Sequence, residues 1–136
     1  DFPMTLVAPS RWLADLAKST PIARNGSVHV VPNPIDTDVW RPRDRAVARE
    51  SLGIPAEDPV ILFGAAHAHR DKRKGFDLLL EALEHVRERI PNVRLVVFGA
   101  TDDGWMNGVN VPVHSAGVVS APARLADLYS MADVFA

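Results

Sequence analysis

A doubly wound α/β fold on a mostly parallel sheet is what this sequence predicts, and three observations carry the prediction. Residues 60–63 are a continuous apolar run and so, but for Arg94, are residues 93–98, the pattern of strands covered on both faces. Between them Phe76, Leu79, Leu80, Leu83, Val86 and Ile90 recur at three- and four-residue steps, while Glu81, Glu84, Arg87 and Glu88 take the other side, which makes an amphipathic helix. Strand and helix then keep alternating to the last residue, an order that calls for right-handed crossovers.

The elements follow in order. Residues 4–8 read as a short strand, and Ser10 is a good N-cap for a helix with Trp12, Leu13, Leu16 and Ala17 on one core-facing side, stopped by Pro21. Residues 28–31 are a β-branched strand ended by Pro32, Asn33 and Pro34, and Asn33 and Asp36 suit a bracing role in that turn. A proline-rich, charged stretch comes next, and residues 43–52 form a short helix closed by Gly53. After the central strand, helix and strand, Pro91 having ended the helix, a weaker strand is expected at 111–114. A helix at 122–131 carrying Leu125, Leu128 and Tyr129 follows, and a strand at 134–136 ends the chain. The organisation expected is therefore a strand-helix-strand at 1–36, a connector with a short helix at 37–58, and an α/β sheet from 59 to 136.

Composition narrows the function. Apolar residues make up 47% and charged residues 24%, ordinary globular usage that argues against a disordered tail. A net charge of -2 gives no general field for nucleic acid, so an anion site has to be local. Cysteine is absent, which removes disulfides and thiolate chemistry. No run approaches the roughly 18 apolar residues of a membrane span, and the start, Asp1-Phe2-Pro3, lacks the basic residues of a signal peptide, so a soluble chain is expected.

Against that neutral background, residues 70–74 hold Arg70, Lys72, Arg73 and Lys74 immediately before Gly75 and the amphipathic helix. The position is the loop after the first strand of the sheet, where such folds bind ligands. A helix start offers unpaired N–H groups and partial positive charge, and Arg and Lys add full charges in fork and point geometry. Gly75 permits close backbone approach. Two readings stand at this level, a phosphate or diphosphate site and a solvated basic loop. The dinucleotide fingerprint is absent, because only Gly64 and Gly75 flank the loop, and Phe76 after Gly75 breaks the phosphate-loop pattern of NTPases.

Several stretches together resemble one family, the family-4 retaining nucleotide-sugar glycosyltransferases with two facing Rossmann-like domains (the GT-B fold). They are "VAPSRWLADLA", "VHVVPNPIDTDVWRP", "RESLGIP", "ILFGA", "RKGFDLLLEAL", "NVRLVVFGA", "VHSAGVV" and "LADLYSMADVFA", in the family's order. The resemblance implies that residues 1–36 end an acceptor-side domain and that residues 59–136 begin a donor-binding one. It implies a diphosphate held by Arg73 and Lys74 as the catalytic cations. Arg70 and Gly75 would stand beside them, with Gly99 and Ala100 near the nucleoside and Gly117 and Val118 along the base. The activity implied is transfer of a sugar from a nucleotide diphosphate donor to a sugar or lipid-linked acceptor, with retention. No metal and no cofactor beyond the donor is implied, and no nucleic acid. A cytoplasmic location is implied, peripheral at the membrane through the acceptor-side domain.

Departures qualify this. Ala65 and Ala66 stand where many relatives carry an Arg, a place Arg70 could fill. The chain stops before the family's paired glutamates, which makes it resemble a fragment that is not expected to turn over substrate by itself, and a non-catalytic nucleotide- or phosphate-binding module on the same fold is the alternative. Outside the resemblance, His67, His69 and His114 lack metal-ligand spacing, and His29 and His85 suit a strand and a solvated helix face. Asp102 and Asp103 read as turn residues, and Trp105 as a packing or stacking ring. Trp12 and Tyr129 read as core-facing.

Overall fold

The computed structural model describes residues 4–23, 25–64, 72–99 and 104–136, and the side chains of Lys72 and Trp105 are outside that description. Two units divide the chain between Asp36 and Thr37. In the first, β1 (Thr5–Ala8) and β2 (Ser27–Val30) pair in parallel, from Thr5 opposite Ser27 to Ala8 opposite Val30. Their crossover helix is α1 (Arg11–Lys18), and the Ser10 hydroxyl caps it by accepting the Leu13 N–H at 3.2 Å. The face of α1 differs from expectation. Ala14 is the residue wholly buried, while Trp12 is 74% exposed and Leu16 half exposed, so Trp12 is no core residue of this unit. A small side chain lets the helix lie close on two strands, and the large ones project away from them.

The second unit holds a four-stranded sheet in the order β5-β4-β3-β6, every pair parallel. The strands are β3 (Val60–Gly64), β4 (Arg94–Phe98), β5 (Val113–Gly117) and β6 (Val134–Phe135). Alternate residues of β3 and β4 feed two separate cores. Phe63, Leu95 and Val97 pack with Phe76 and Leu83 of α3 (Phe76–Arg89). Val60, Leu62 and Val96 pack on the other face with Ala48 of α2 (Arg45–Glu50) and with Leu128 and Met131 of α4 (Pro122–Met131). Apolar residues on both sides of each strand explain the hydrophobic runs at 60–63 and 95–98. The helix expected at 43–52 is shorter, α2 being followed by a turn in which Gly53 takes φ 64°. The strand expected at 111–114 sits two residues later. Pro112 has no N–H to donate to a ladder, and its carbonyl instead accepts the Leu95 N–H at 3.0 Å.

Residues 37–58 are part of this second unit, anchored where β3 and β6 begin. Arg49 of α2 is only 2% exposed, and its guanidinium donates to the Met131 carbonyl at 3.0 Å, to the Ala56 carbonyl and to the Asp133 carboxylate at 2.8 Å. Asp133 also accepts the Val60 N–H at 2.7 Å and pairs with Arg45. Burial pushes its carboxyl up, but the Val60 N–H and the two arginines outweigh that and leave it below the usual carboxylate range. Asp58 is held low as well, chiefly by hydrogen bonds from Arg94 at 2.6 Å and Asn92 at 3.0 Å.

Both folded-state values lie under the ordinary aspartate value of about 3.9, so in acid the unfolded chain binds more protons than the folded one. The stabilisation is complete above about pH 5 and is lost as pH falls through the folded-state values. Urea midpoints measured across that range should drop with acid, and Asp58→Asn with Asp133→Asn should flatten the slope. An unchanged slope in the double variant would refute the assignment.

Candidate functional site

Because all four strands of the second unit are parallel, their carboxyl ends share one edge of the sheet. The winding reverses at β3, with β4 and β5 to one side and β6 to the other, and sheets of this kind bind ligands in the crevice outside that reversal. Beyond Gly64 the described chain resumes as a single 3₁₀ turn, Lys72–Lys74, and Gly75 then caps α3. Gly75 stands in the left-handed region (φ 68°, ψ 21°) and no side chain caps the helix. The nearest atom a β-carbon there would meet is Leu78 Cδ1 at 3.9 Å, so conformation and not crowding makes glycine the fitting residue.

Arg73 and Lys74 are exposed at this helix start, whose first N–H groups have no partner within the helix. Partial positive charge from the backbone and full charge from the two side chains therefore act in the same place. Asp77, in the first turn of α3, is a carboxylate that sequence reasoning passed over. It tempers the field on one side of the turn, and its position one residue past Phe76 was readable from the helical pattern.

At the ends of β4 and β5 two more glycines adopt left-handed backbone, Gly99 at φ 85° and Gly117 at φ 61°. The Gly99 N–H donates to the Gly117 carbonyl at 2.7 Å. The register slips between Val97, which faces Ser115, and Phe98, which faces Gly117, so Ala116 is an extra residue in the ladder. A side chain on Gly117 would meet open space, and Val118 beside it is 68% exposed. The structure thus brings Gly99, Gly117 and Val118 together, and it puts Arg73, Lys74 and Gly75 at the head of the helix that follows the neighbouring strand.

Arg70 and Ala100 lie outside the described residues, as do Ala65, Ala66, His67, His69, Asp102 and Asp103. Among the described residues no group of three or more His, Asp or Glu side chains converges as a metal site, and no helix is long and apolar enough to cross a membrane. A groove of about 370 Å³ between residues 40–43 and α4, walled by Trp40, Pro42, Ala126 and Tyr129, takes no wall from residues 72–75, 99 or 117. Tyr129 is partly exposed there and makes ring contacts with Trp40, Phe98 and Phe135.

The fold and this edge define a Rossmann-like unit of the GT-B kind. A solved sucrose-phosphate synthase from Thermosynechococcus elongatus superposes on 96% of the chain with a TM-score of 0.74, at 23% identity and over 34% of its own length. The model of the family described as "Glycosyl transferases group 1" matches residues 58–136, and the chain belongs to that family. Among its relatives are two proteins named D-inositol 3-phosphate glycosyltransferase. That of Xylanimonas cellulosilytica is 37% identical over 80% of this chain, and that of Segniliparus rotundus 32% identical over 80%. The chain spans 28% and 26% of the length of those two relatives.

Proposed function

We propose that residues 59–136 form the diphosphate side of a sugar-nucleotide pocket, in an enzyme that moves a sugar from a nucleotide diphosphate to an acceptor hydroxyl with retention. The observation that carries this reading is the basic turn at the start of α3, which no side chain caps, on the edge of the sheet where Gly117 faces open space. Arg73 and Lys74 bind the diphosphate, Gly75 lets it approach the backbone, and Gly99, Gly117 and Val118 line the nucleoside. Arg70 and Ala100 complete the two subsites in this reading.

Breaking the glycosidic bond leaves negative charge on the diphosphate. Fixed cations and oriented N–H groups stabilise that charge more in the transition state than in the bound donor, and so lower the barrier. The acceptor is a sugar or lipid-linked hydroxyl, and the setting is the cytoplasm or the cytoplasmic face of a membrane. Family membership and the named activities of the relatives support this reading.

Thermal shift tests it directly. A ligand at 100 times its dissociation constant stabilises the native state by about 2.7 kcal/mol, so saturating UDP, GDP or ADP should raise the melting temperature where the matching monophosphate does so weakly. If none of the diphosphates moves the transition at millimolar concentration, the reading is wrong.

A further inference from the structure

Gly64, the last residue of β3, and Phe98, the last of β4, face each other in register and point to the α4 side of the sheet. A β-carbon on residue 64 would collide with the Phe98 ring, lying 2.6 Å from Cε2 and nearer still to Cε1 and Cζ. The ring thus occupies the volume that a side chain at 64 would need. The Tyr129 ring also meets it edge-on, 5.9 Å away at 73°. Phe98 is therefore held between the bare backbone of one strand and an aromatic ring of α4.

The residue that follows is Gly99, whose hydrogen bond to Gly117 lies just past the register slip at Ala116. Two left-handed glycines beside a disrupted ladder have little intrinsic rigidity, since glycine loses more freedom on ordering than any other residue. A fixed ring on the preceding residue supplies what the backbone lacks.

We infer that Phe98 is a positioning residue of the strand-end pocket, holding Gly99 against Gly117 by resting its ring on the bare face of Gly64. That this pocket takes a nucleoside diphosphate rests on the function proposed above, whereas the positioning itself is a property of the unliganded chain. The ring touches no ligand in this scheme; it acts through Gly99.

Amide exchange at Gly99, read by NMR on the whole 136-residue chain without ligand, reports the hydrogen bond to Gly117. Gly64→Ala overpacks the contact and Phe98→Leu empties it, so each should speed that exchange about tenfold or more at a temperature where the chain stays folded. The pair Gly64→Ala with Phe98→Leu exchanges volume across the contact and should return it to within about threefold of the unaltered chain. The dissociation constant for UDP, GDP or ADP, whichever binds, should follow the same order.

A merely structural contact would lower the urea midpoint yet leave Gly99 exchange and nucleotide affinity unmoved below the transition, and that result overturns the inference. Should Gly64→Ala fail to fold, Phe98→Leu alone decides, because unchanged Gly99 exchange in it is equally fatal. If exchange responds as stated while the unaltered chain binds no nucleoside diphosphate, the positioning stands and the proposed function falls.

Discussion

Replacing Arg73 or Lys74 by Met should weaken nucleoside diphosphate binding roughly ten- to hundredfold each, since a hydrogen bond to a charged group contributes about 1.5–3 kcal/mol. The effect on sugar transfer should be larger, roughly 10²- to 10³-fold in rate, because charge on the diphosphate grows as the bond breaks. Calorimetric titration of this chain gives the first quantity, and turnover of a nucleotide sugar by a full-length enzyme carrying the same change gives the second. Both residues are exposed at the start of α3, so neither change should lower the urea midpoint appreciably. Lys18→Met, an exposed cation of the first unit paired with Asp15 at 3.2 Å, is the matched control and should leave binding alone. If the Arg73 and Lys74 variants bind nucleoside diphosphate like the unaltered chain, the basic turn is solvated surface, the simpler of the two readings its sequence allowed.

Asp133→Ala should cost the second unit about 3 kcal/mol, the lower end of what removing one partner of a buried ion pair costs, because Asp133 itself is partly exposed. Three things are lost together. The guanidinium of Arg49 keeps its carbonyl partners but loses its counter-charge in a place with almost no water, the Val60 N–H loses its acceptor, and Arg45 loses its carboxylate. Asp133→Asn keeps an oxygen for Val60 and should cost less. Adding Arg49→Met to Asp133→Ala should recover part of the loss, since a buried pair replaced by apolar groups can be nearly neutral. Urea titration of the unaltered chain, Asp133→Ala, Arg49→Met and the double variant completes the cycle, and additive losses would show that Arg49 and Asp133 act independently.

Much of this architecture is legible in local pattern. Residues 60–63 and 95–98 are apolar on both faces because both faces are covered, and Ser10 caps α1 because a hydroxyl before an apolar helix has a free N–H to meet. The basic turn was readable because charge stood out from a neutral chain. Other features depend on pairs distant in sequence. Trp12 fits a helical apolar face, and only the placement of Ala14 on the strands turns that face outward. Pro112 displaces β5 because its carbonyl is used and its missing N–H matters only once Leu95 is the neighbour. Nothing within residues 45–50 announces that Arg49 will be buried, as its partners lie at 55–56 and 131–133. Gly64 carried a weak signal, a glycine at a strand end, and it took Phe98 to say what approaches it.

The reversal of winding at β3 also sets an order of events during synthesis. On one side β3 meets β4 across a single helix, so that half of the sheet can form early. On the other side the Val60 N–H waits for the carboxylate of Asp133, 73 residues later, and Ile61 and Leu62 wait for Val134 and Phe135. Contacts of such separation form late because the loop must close before they reward it. Until Asp133 leaves the ribosome, the most apolar strand of the unit has an open edge and Arg49 has no counter-charge. A nascent chain paused between residues 100 and 130 is therefore the species most exposed to mispairing, and the one a chaperone would be expected to hold.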